Sequence, residues 1–280
     1  MVVDERVLSL VKASPRLATL PSAYARLSVT LDDPNANADK VASVVRTDPA
    51  LTAWLLKVSN NAAFGNPRHV DTVHQAVVVL GTTRIRHLAL AAAVFGVFRG
   101  IPSHLIDVRT FWEHSLAVAV GAELIGRWAG HPGTEQLFVS GLLHDIGLLV
   151  ICANQPAEAL RVLHASRADR VVAPVIERRL LGYDHGDVGE QLLNAWGLPA
   201  HGEPARFHHV PSLRPAFPTD VVHLANVVAT ELRLGSTGEP VPYSLDERAW
   251  RRIGLRLVDL DQIMTLLQSQ ISLAVAEYLV

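Results

Sequence analysis

The chain has 280 residues, of which 49% are apolar, and a formal net charge of −2. It is long enough for one large domain or two small ones, and it lacks the overall positive charge that attracts nucleic acids. Its single cysteine excludes an intrachain disulfide framework and is typical of a cytoplasmic protein. The longest apolar run, residues 88–98, is about half the roughly 20 residues that a membrane-spanning helix needs, so we expect no membrane span.

The first third of the chain shows helix-start signals. Asp48 precedes a proline that would occupy the first position of the helix ALTAWLLKVSNNA. Thr72 and Gln75 fit a capping box before AVVVL, and Gly81 can end that helix. These signals predict successive helices up to a boundary marked by glycine and proline at residues 100–102.

Helical periodicity continues beyond this boundary. It predicts a long helix over 107–128, a helix within SGLLHDIGLLVI that carries His144 and Asp145, and a helix over 220–234. The apolar runs VVVL and RVVAPV are embedded in helical periodicity, so we expect no strands there. We therefore predict an all-α fold of two packed helical subdomains, residues 1–105 and 106–280.

Seven polar residues interrupt the apolar helices of the second predicted subdomain. They are His114, His144, Asp145, His185, His208, His209 and Asn226. Imidazole and carboxylate groups suit zinc, iron, manganese and related divalent ions. No two of these histidines form an i, i+4 pair, so a metal site would be assembled from several helices. A single buried histidine is more often structural, with one satisfied hydrogen bond, so the spacing alone leaves both interpretations open.

The order of these residues resembles that of the metal ligands in the HD superfamily of metal-dependent phosphohydrolases. More specifically, the chain resembles the HDOD family, the HD-related output domain of bacterial signalling proteins. The resemblance extends from about residue 17 to about residue 234. It is carried by TVHQAVVVLGTTRIRHLAL in the first part, and by FWEHSLAVA, GLLHDIGLLVI, LGYDHGDVGEQLLNAWGLP and FHH in the second. It implies an N-terminal helical lobe packed on an HD-like helical bundle.

The resemblance also implies a site for divalent ions such as iron, manganese, zinc or nickel. A first ion would be held by His114, His144 and Asp145. A second would be held by the later histidines, His185, His208 and His209. In an active member the metal lowers the pKa of bound water and neutralises the charge of the phosphate. Asp145 would then be the essential catalytic residue. The alternative is a hydrogen-bonded network, without any ion, that fixes the register of the helices.

Two positions depart from the active pattern. Asn226 stands where the superfamily has a further aspartate, and Leu148 stands where the related cyclic-dinucleotide phosphodiesterases carry a lysine. An amide is a weaker ligand than a carboxylate, and a leucine cannot donate to a phosphate. We therefore expect a signal-transduction module that binds a protein partner or a small ligand, possessing no phosphohydrolase activity. The alternative is a metal-dependent phosphohydrolase acting on a nucleotide or another phosphate ester; nucleic acid is disfavoured as a partner.

Overall fold

The computed structural model describes residues 4–13, 22–60, 69–98, 100–238 and 241–279. Within these ranges the chain is helical and contains no strand, which confirms the predicted all-α class. The helices are α1 (Glu5–Lys12), α2 (Ser22–Asp32), α3 (Ala38–Val45), α4 (Pro49–Ser59), α5 (Val73–Val97), α6 (Val108–Trp128), α7 (Thr134–Leu143), α8 (Ile146–Asn154), α9 (Pro156–Asp169), α10 (Ala173–Leu180), α11 (His185–Ala195), α12 (Pro199–Phe207), α13 (Phe217–Glu231), α14 (Glu247–Ile253) and α15 (Leu257–Tyr278).

The predicted helix-start signals are present. The Asp48 side chain accepts a hydrogen bond from the Leu51 amide at 3.0 Å, and proline opens α4 directly after it. The Gln75 amide donates to the Thr72 hydroxyl, and the Thr72 amide donates to the Gln75 side chain, both at 3.1 Å. Gly81 has φ +78° and interrupts α5, which confirms the predicted break, because glycine adopts this conformation without steric cost.

The chain forms two compact units, each assembled from separate segments. One contains residues 1–18 and 98–271, and the other contains residues 19–97 and 272–280. The change near residue 98 lies close to the predicted boundary at 105. The division differs from the predicted one because α1 belongs with the later helices, where it packs against α8 and α11. All seven polar residues noted above lie in the first of these units.

The core of that unit is built around two groups of helices. Helix α6 packs against α7 and α13, and α11 packs against α8 and α12. Fully buried apolar side chains such as Phe111, Leu116, Leu143 and Ile146 fill the interior. Burial of each such side chain stabilises the fold by about 1.5–3 kcal/mol, and this packing holds in place the helix ends that carry the polar cluster.

Within the described residues, two helical stretches have the length and apolar composition that a membrane span requires. They are Val73–Phe95 and Thr134–Asn154. In the second, 83% of the apolar window is buried inside the fold, compared with 44% in the first. The second stretch is apolar because it belongs to the buried core of the fold. It contains His144 and Asp145.

Candidate metal centre

His144 and Asp145 lie between two helices and not within one, which corrects the prediction of a single helix through this segment. Helix α7 ends at Leu143, and α8 begins at Ile146. Asp145 has φ −102° and ψ 11°, outside the helical region, and makes no side-chain capping bond to α8. The break frees its carboxylate, so both side chains of the pair are directed to one interior cluster.

The Asp145 carboxylate is the centre of this cluster. Its Oδ2 lies 3.0 Å from Nε2 of His144, while its Oδ1 lies 3.1 Å from Nε2 of His208 and 3.3 Å from Nε2 of His185. The three histidines are fully buried and Asp145 is 4% exposed. Burial works against the charged carboxylate, yet the surrounding histidines hold the pKa of Asp145 well below its usual value. The structure therefore gathers these side chains around an anion.

The hydrogen bonds of two of these rings determine which nitrogen carries the proton. His144 Nδ1 lies 2.8 Å from the Gly141 carbonyl, and His208 Nδ1 lies 2.7 Å from the Ala205 carbonyl. A carbonyl only accepts, so each Nδ1 donates, and a ring with a single proton then carries its lone pair on Nε2. Burial lowers the pKa of His208 to about 4, which keeps that ring neutral near pH 7.

These lone pairs face the carboxylate without hydrogen-bond geometry. Within the described part of the chain, Nε2 of His144, Nε2 of His208 and Oδ1 of Asp145 have no hydrogen-bond partner, although they lie close together. Unsatisfied buried polar atoms cost about 1–3 kcal/mol each. A cation between them removes this cost.

His185 is held by a carboxylate that the sequence analysis missed. Oε2 of Glu177 accepts hydrogen bonds from both the backbone amide and Nδ1 of His185, each at 2.8 Å, and Glu177 is 1% exposed. Burial works against a charged ring, but Glu177 and Asp145 outweigh it and raise the pKa of His185 well above its usual value. Glu177 thereby fixes the ring and directs Nε2 into the cluster.

His209 completes this side of the cluster. Its Nε2 lies 2.8 Å from Nε2 of His185, and its ring stacks on Tyr243 with the ring centres 4.0 Å apart. Nδ1 of His209 is buried and has no hydrogen-bond partner among the described residues. Burial and the neighbouring histidines lower the pKa of His209 well below its usual value.

His114 has a different environment. Its Nδ1 lies 3.3 Å from the Leu234 carbonyl, and its Nε2 lies 2.9 Å from the side-chain amide of Asn226. The Asn226 atom in this contact is Oδ1, which only accepts, so Nε2 of His114 carries the proton and donates to it. Burial lowers the pKa of His114 to about 4. Asn226 thus holds Nε2 of His114 in a buried hydrogen bond and brings no negative charge to this position.

The cluster offers two overlapping groups of donor atoms. One is formed by His114, His144 and Asp145, and the other by Asp145, His185, His208 and His209. Within each group the ligand atoms lie no more than 4.8 Å from one another. Imidazole nitrogens with one carboxylate oxygen fit zinc, iron, manganese or nickel, so these residues are chemically suited to hold a divalent ion.

A cavity of about 260 Å³ reaches the cluster at His114 and Asn226. Its lining includes Thr230, Tyr243 and Arg233, and Arg233 is the one permanently charged side chain among the described residues that line it. Leu148 instead lines a smaller and mostly apolar cavity of about 40 Å³. The position where related phosphodiesterases carry a lysine therefore offers no donor to an anion here.

His223, a second residue outside the predicted set, holds the backbone of His208 in place. Nδ1 of His223 donates to the carbonyl of His208 at 2.7 Å, and its Nε2 accepts from the Asp246 amide at 2.9 Å. The only sequence signal for His223 is its place in the apolar segment VVHLAN, three residues before Asn226. That signal does not distinguish a supporting residue from a ligand.

Comparison with known proteins identifies the family. The HDOD domain family matches residues 17–211 of this chain. The chain belongs to the HDOD family. This confirms the predicted membership, and with it the relation to the HD superfamily.

Solved HDOD structures are similar over the whole fold. A crystal structure of an HDOD domain protein of unknown function from Geobacter sulfurreducens is 26% identical, with a TM-score of 0.79 and coverage of 98% of this chain and 97% of that one. A protein from Shewanella amazonensis SB2B with the provisional name phosphohydrolase is 25% identical, with a TM-score of 0.77 and coverage of 97% and 96%.

A curated relative has no assigned function. It is an uncharacterized protein of Treponema pallidum (strain Nichols), 26% identical over 196 residues. The match covers 68% of this HDOD chain and 37% of the relative, so the chain spans little more than a third of the length of the curated relative that it matches.

Proposed function

We propose that this HDOD protein is a cytoplasmic module of bacterial signal transduction that binds a divalent metal ion at Asp145 and acts by binding a protein partner or a small ligand. One observation carries the metal part of the proposal. Nε2 of His208 and Oδ1 of Asp145 lie 3.1 Å apart in a buried space, and neither has a hydrogen-bond partner among the described residues. A bound divalent cation satisfies both of these atoms together.

An output role, and not hydrolysis, is supported by the two departures from the active pattern. Asn226 supplies an amide in place of a carboxylate and is engaged with His114. Leu148 lines an apolar cavity and offers no donor to a phosphate. The cluster therefore has less negative charge to hold a pair of catalytic ions. The output role itself rests on the chain's membership of the HDOD family.

Metal analysis of the purified protein tests the metal part. The chain is stripped with chelator, dialysed in turn against zinc, manganese, iron(II) and nickel, and analysed for bound ions by mass spectrometry. We expect at least one of these ions to bind at a ratio near one per chain. Asp145→Asn is expected to lose this binding, while Asp169→Asn, a change at an exposed aspartate of α9, is expected to retain it. A wild-type chain that binds none of the four ions would contradict the proposal.

A phosphohydrolase is the second candidate, and the larger cavity favours it. Arg233 places a positive charge in a cavity that ends at His114 and Asn226, where an anionic ester could approach the cluster. The Shewanella relative carries a phosphohydrolase name. A panel of phosphomonoesters, phosphodiesters and cyclic dinucleotides with added manganese, iron or nickel tests this candidate. If the wild type hydrolyses one of these substrates and Asp145→Ala does not, the protein is an enzyme and the proposed output role is wrong.

A further inference from the structure

The two groups of donor atoms share Asp145 but are not equivalent. His144 approaches one oxygen of the carboxylate, and His185 and His208 approach the other. We call the group of His114, His144 and Asp145 the first half-site, and the group of Asp145, His185, His208 and His209 the second half-site. Their contacts differ in nitrogen availability, spacing and charge.

The first half-site has lost one of its nitrogen donors. Nε2 of His114 is absent from the buried atoms that lack a partner, because Asn226 lies 2.9 Å from it. Asn226 is itself 2% exposed, so water does not readily replace it there. To bind an ion, His114 would have to give up this hydrogen bond and strand a buried amide, at a cost of about 1–3 kcal/mol per unsatisfied group.

The second half-site brings its donor atoms close together: Nε2 of His208 and Oδ1 of Asp145 have no hydrogen-bond partner among the described residues, and Nε2 of His185 and Nε2 of His209 are hydrogen-bonded to each other. Asp145 Oδ1 lies 3.1 Å from His208 and 3.3 Å from His185, and the Nε2 atoms of His185 and His209 are 2.8 Å apart. Ligand atoms bound to one ion at about 2.0–2.1 Å are themselves roughly 3 Å apart. The separations in the second half-site match this spacing before any ion is added.

Charge also favours the second half-site. Glu177 accepts two hydrogen bonds from His185 and adds a buried negative charge directly behind that ligand. The corresponding partner of His114 is the neutral amide of Asn226. A carboxylate behind a ligating histidine fixes the ring and strengthens it as a ligand, whereas an amide adds no charge.

From these differences we infer that the chain holds a single divalent ion, in the half-site of Asp145, His185, His208 and His209, and that Asn226 closes the half-site of His114. This inference rests on the metal binding proposed above and assigns its position and stoichiometry. The ion is displaced toward the later histidines, and His114 serves as a structural residue bonded to Asn226.

Matched variants of one histidine from each half-site test the assignment. Zinc affinity and stoichiometry are measured by equilibrium dialysis, and the visible absorption of bound cobalt reports the ligand set. We expect one ion per wild-type chain, a loss of at least about 10-fold in affinity with an altered cobalt spectrum in His209→Gln, and a change below about threefold with an unaltered spectrum in His114→Gln. Circular dichroism of the metal-free variants shows whether each one folds.

Asn226→Asp provides a test that needs neither histidine variant. The change is isosteric and turns the partner of His114 into a carboxylate, so we expect the stoichiometry to rise from one ion per chain toward two. Two ions in the wild type, or equal losses in His114→Gln and His209→Gln, would overturn the assignment while leaving metal binding intact. A wild type that binds no ion overturns both the assignment and the metal part of the proposed function.

Discussion

Gly147 lies directly against the backbone of His185, so closely that a Cβ at Gly147 would overlap the His185 carbonyl oxygen and lie 2.6 Å from the Gly189 amide nitrogen. This contact brings α8 and α11 together at the level of the cluster. The glycine that follows the His–Asp pair therefore sets the distance between Asp145 and His185, although it carries no functional group itself.

Gly147→Ala is expected to destabilise the fold and disturb the cluster. The new methyl group meets backbone atoms, which cannot move without shifting a helix, so we expect a loss of about 1–3 kcal/mol in the free energy of unfolding and weaker metal binding. Urea unfolding and zinc titration measure the two effects. Gly189→Ala is the matched control, because a Cβ at Gly189 makes only ordinary contacts of 3.5 Å or more across the same interface. Equal behaviour of the two variants would refute the steric argument.

Glu177→Gln is expected to weaken metal binding without unfolding the chain. Glutamine retains the size of the side chain and can accept one hydrogen bond from His185, but it removes the buried charge behind that ring. Loss of such a supporting carboxylate typically lowers metal affinity by about 10–100-fold. Glu190→Gln is the control, since Glu190 is an acidic residue of α11 that pairs with Arg206. Unchanged zinc affinity in Glu177→Gln would show that Glu177 is not a support for the metal ligand.

The stability of the metal-free protein is expected to fall as the pH is lowered from 6.5 toward 4, in part through His201. Burial lowers the pKa of His201 to about 4, and Ser140 Oγ lies 2.8 Å from its Nδ1. The unfolded chain takes up a proton near pH 6.5 and the folded chain only near pH 4, so protonation favours unfolding between these values. The contribution of His201 amounts to about 2 kcal/mol between pH 6.5 and 5.

Chemical denaturation across this pH range measures the effect in the presence of chelator. His201→Gln should show a shallower dependence of the unfolding free energy on pH than the wild type. His164→Gln, a change at an exposed position on α9, should match the wild type. The prediction fails if the slopes of the wild type and His201→Gln coincide.

Metal addition is expected to raise the midpoint of thermal unfolding. An ion that binds only the folded chain stabilises it by about 2.7 kcal/mol at 100 times its dissociation constant, which corresponds to a shift of roughly 5–10 °C for a unit of this size. Calorimetry with zinc, then with excess chelator, measures the rise and its reversal. Asp145→Asn should show neither, and a similar shift in that variant would place the stabilising ion elsewhere.

Local signals in the sequence predicted local structure well. The caps at Asp48 and Thr72 and the break at Gly81 depend on residues within one helical turn, and each is present in the fold. The break between His144 and Ile146 gave no such signal, because apolar residues continue on both sides with helical spacing. The non-helical backbone at Asp145 coincides with contacts of its side chain to His185 and His208, which are distant in the chain and which the local sequence does not encode.

The cluster was predictable in its members but not in its supporting contacts. Polar residues that interrupt apolar helices gave the candidate residues, and the resemblance to the HD pattern then grouped six of them, five histidines and one aspartate, as metal ligands. Glu177 looks like any acidic residue of an amphipathic helix until α10 is placed beside the start of α11. The pairing of His114 with Asn226 joins positions 112 residues apart, so only the folded chain reveals it.

Gly147 and the histidines of the cluster should be conserved to different extents among related chains. Close approach of two backbones selects for glycine whether or not an ion is bound. Buried histidines whose nitrogens face an acid have no such independent reason to persist, since leucine or methionine would fill the same space without polar atoms. In related proteins that bind no ion, we therefore expect the histidines at positions 185, 208 and 209 to be replaced together. The glycine at position 147 should be retained in the same proteins.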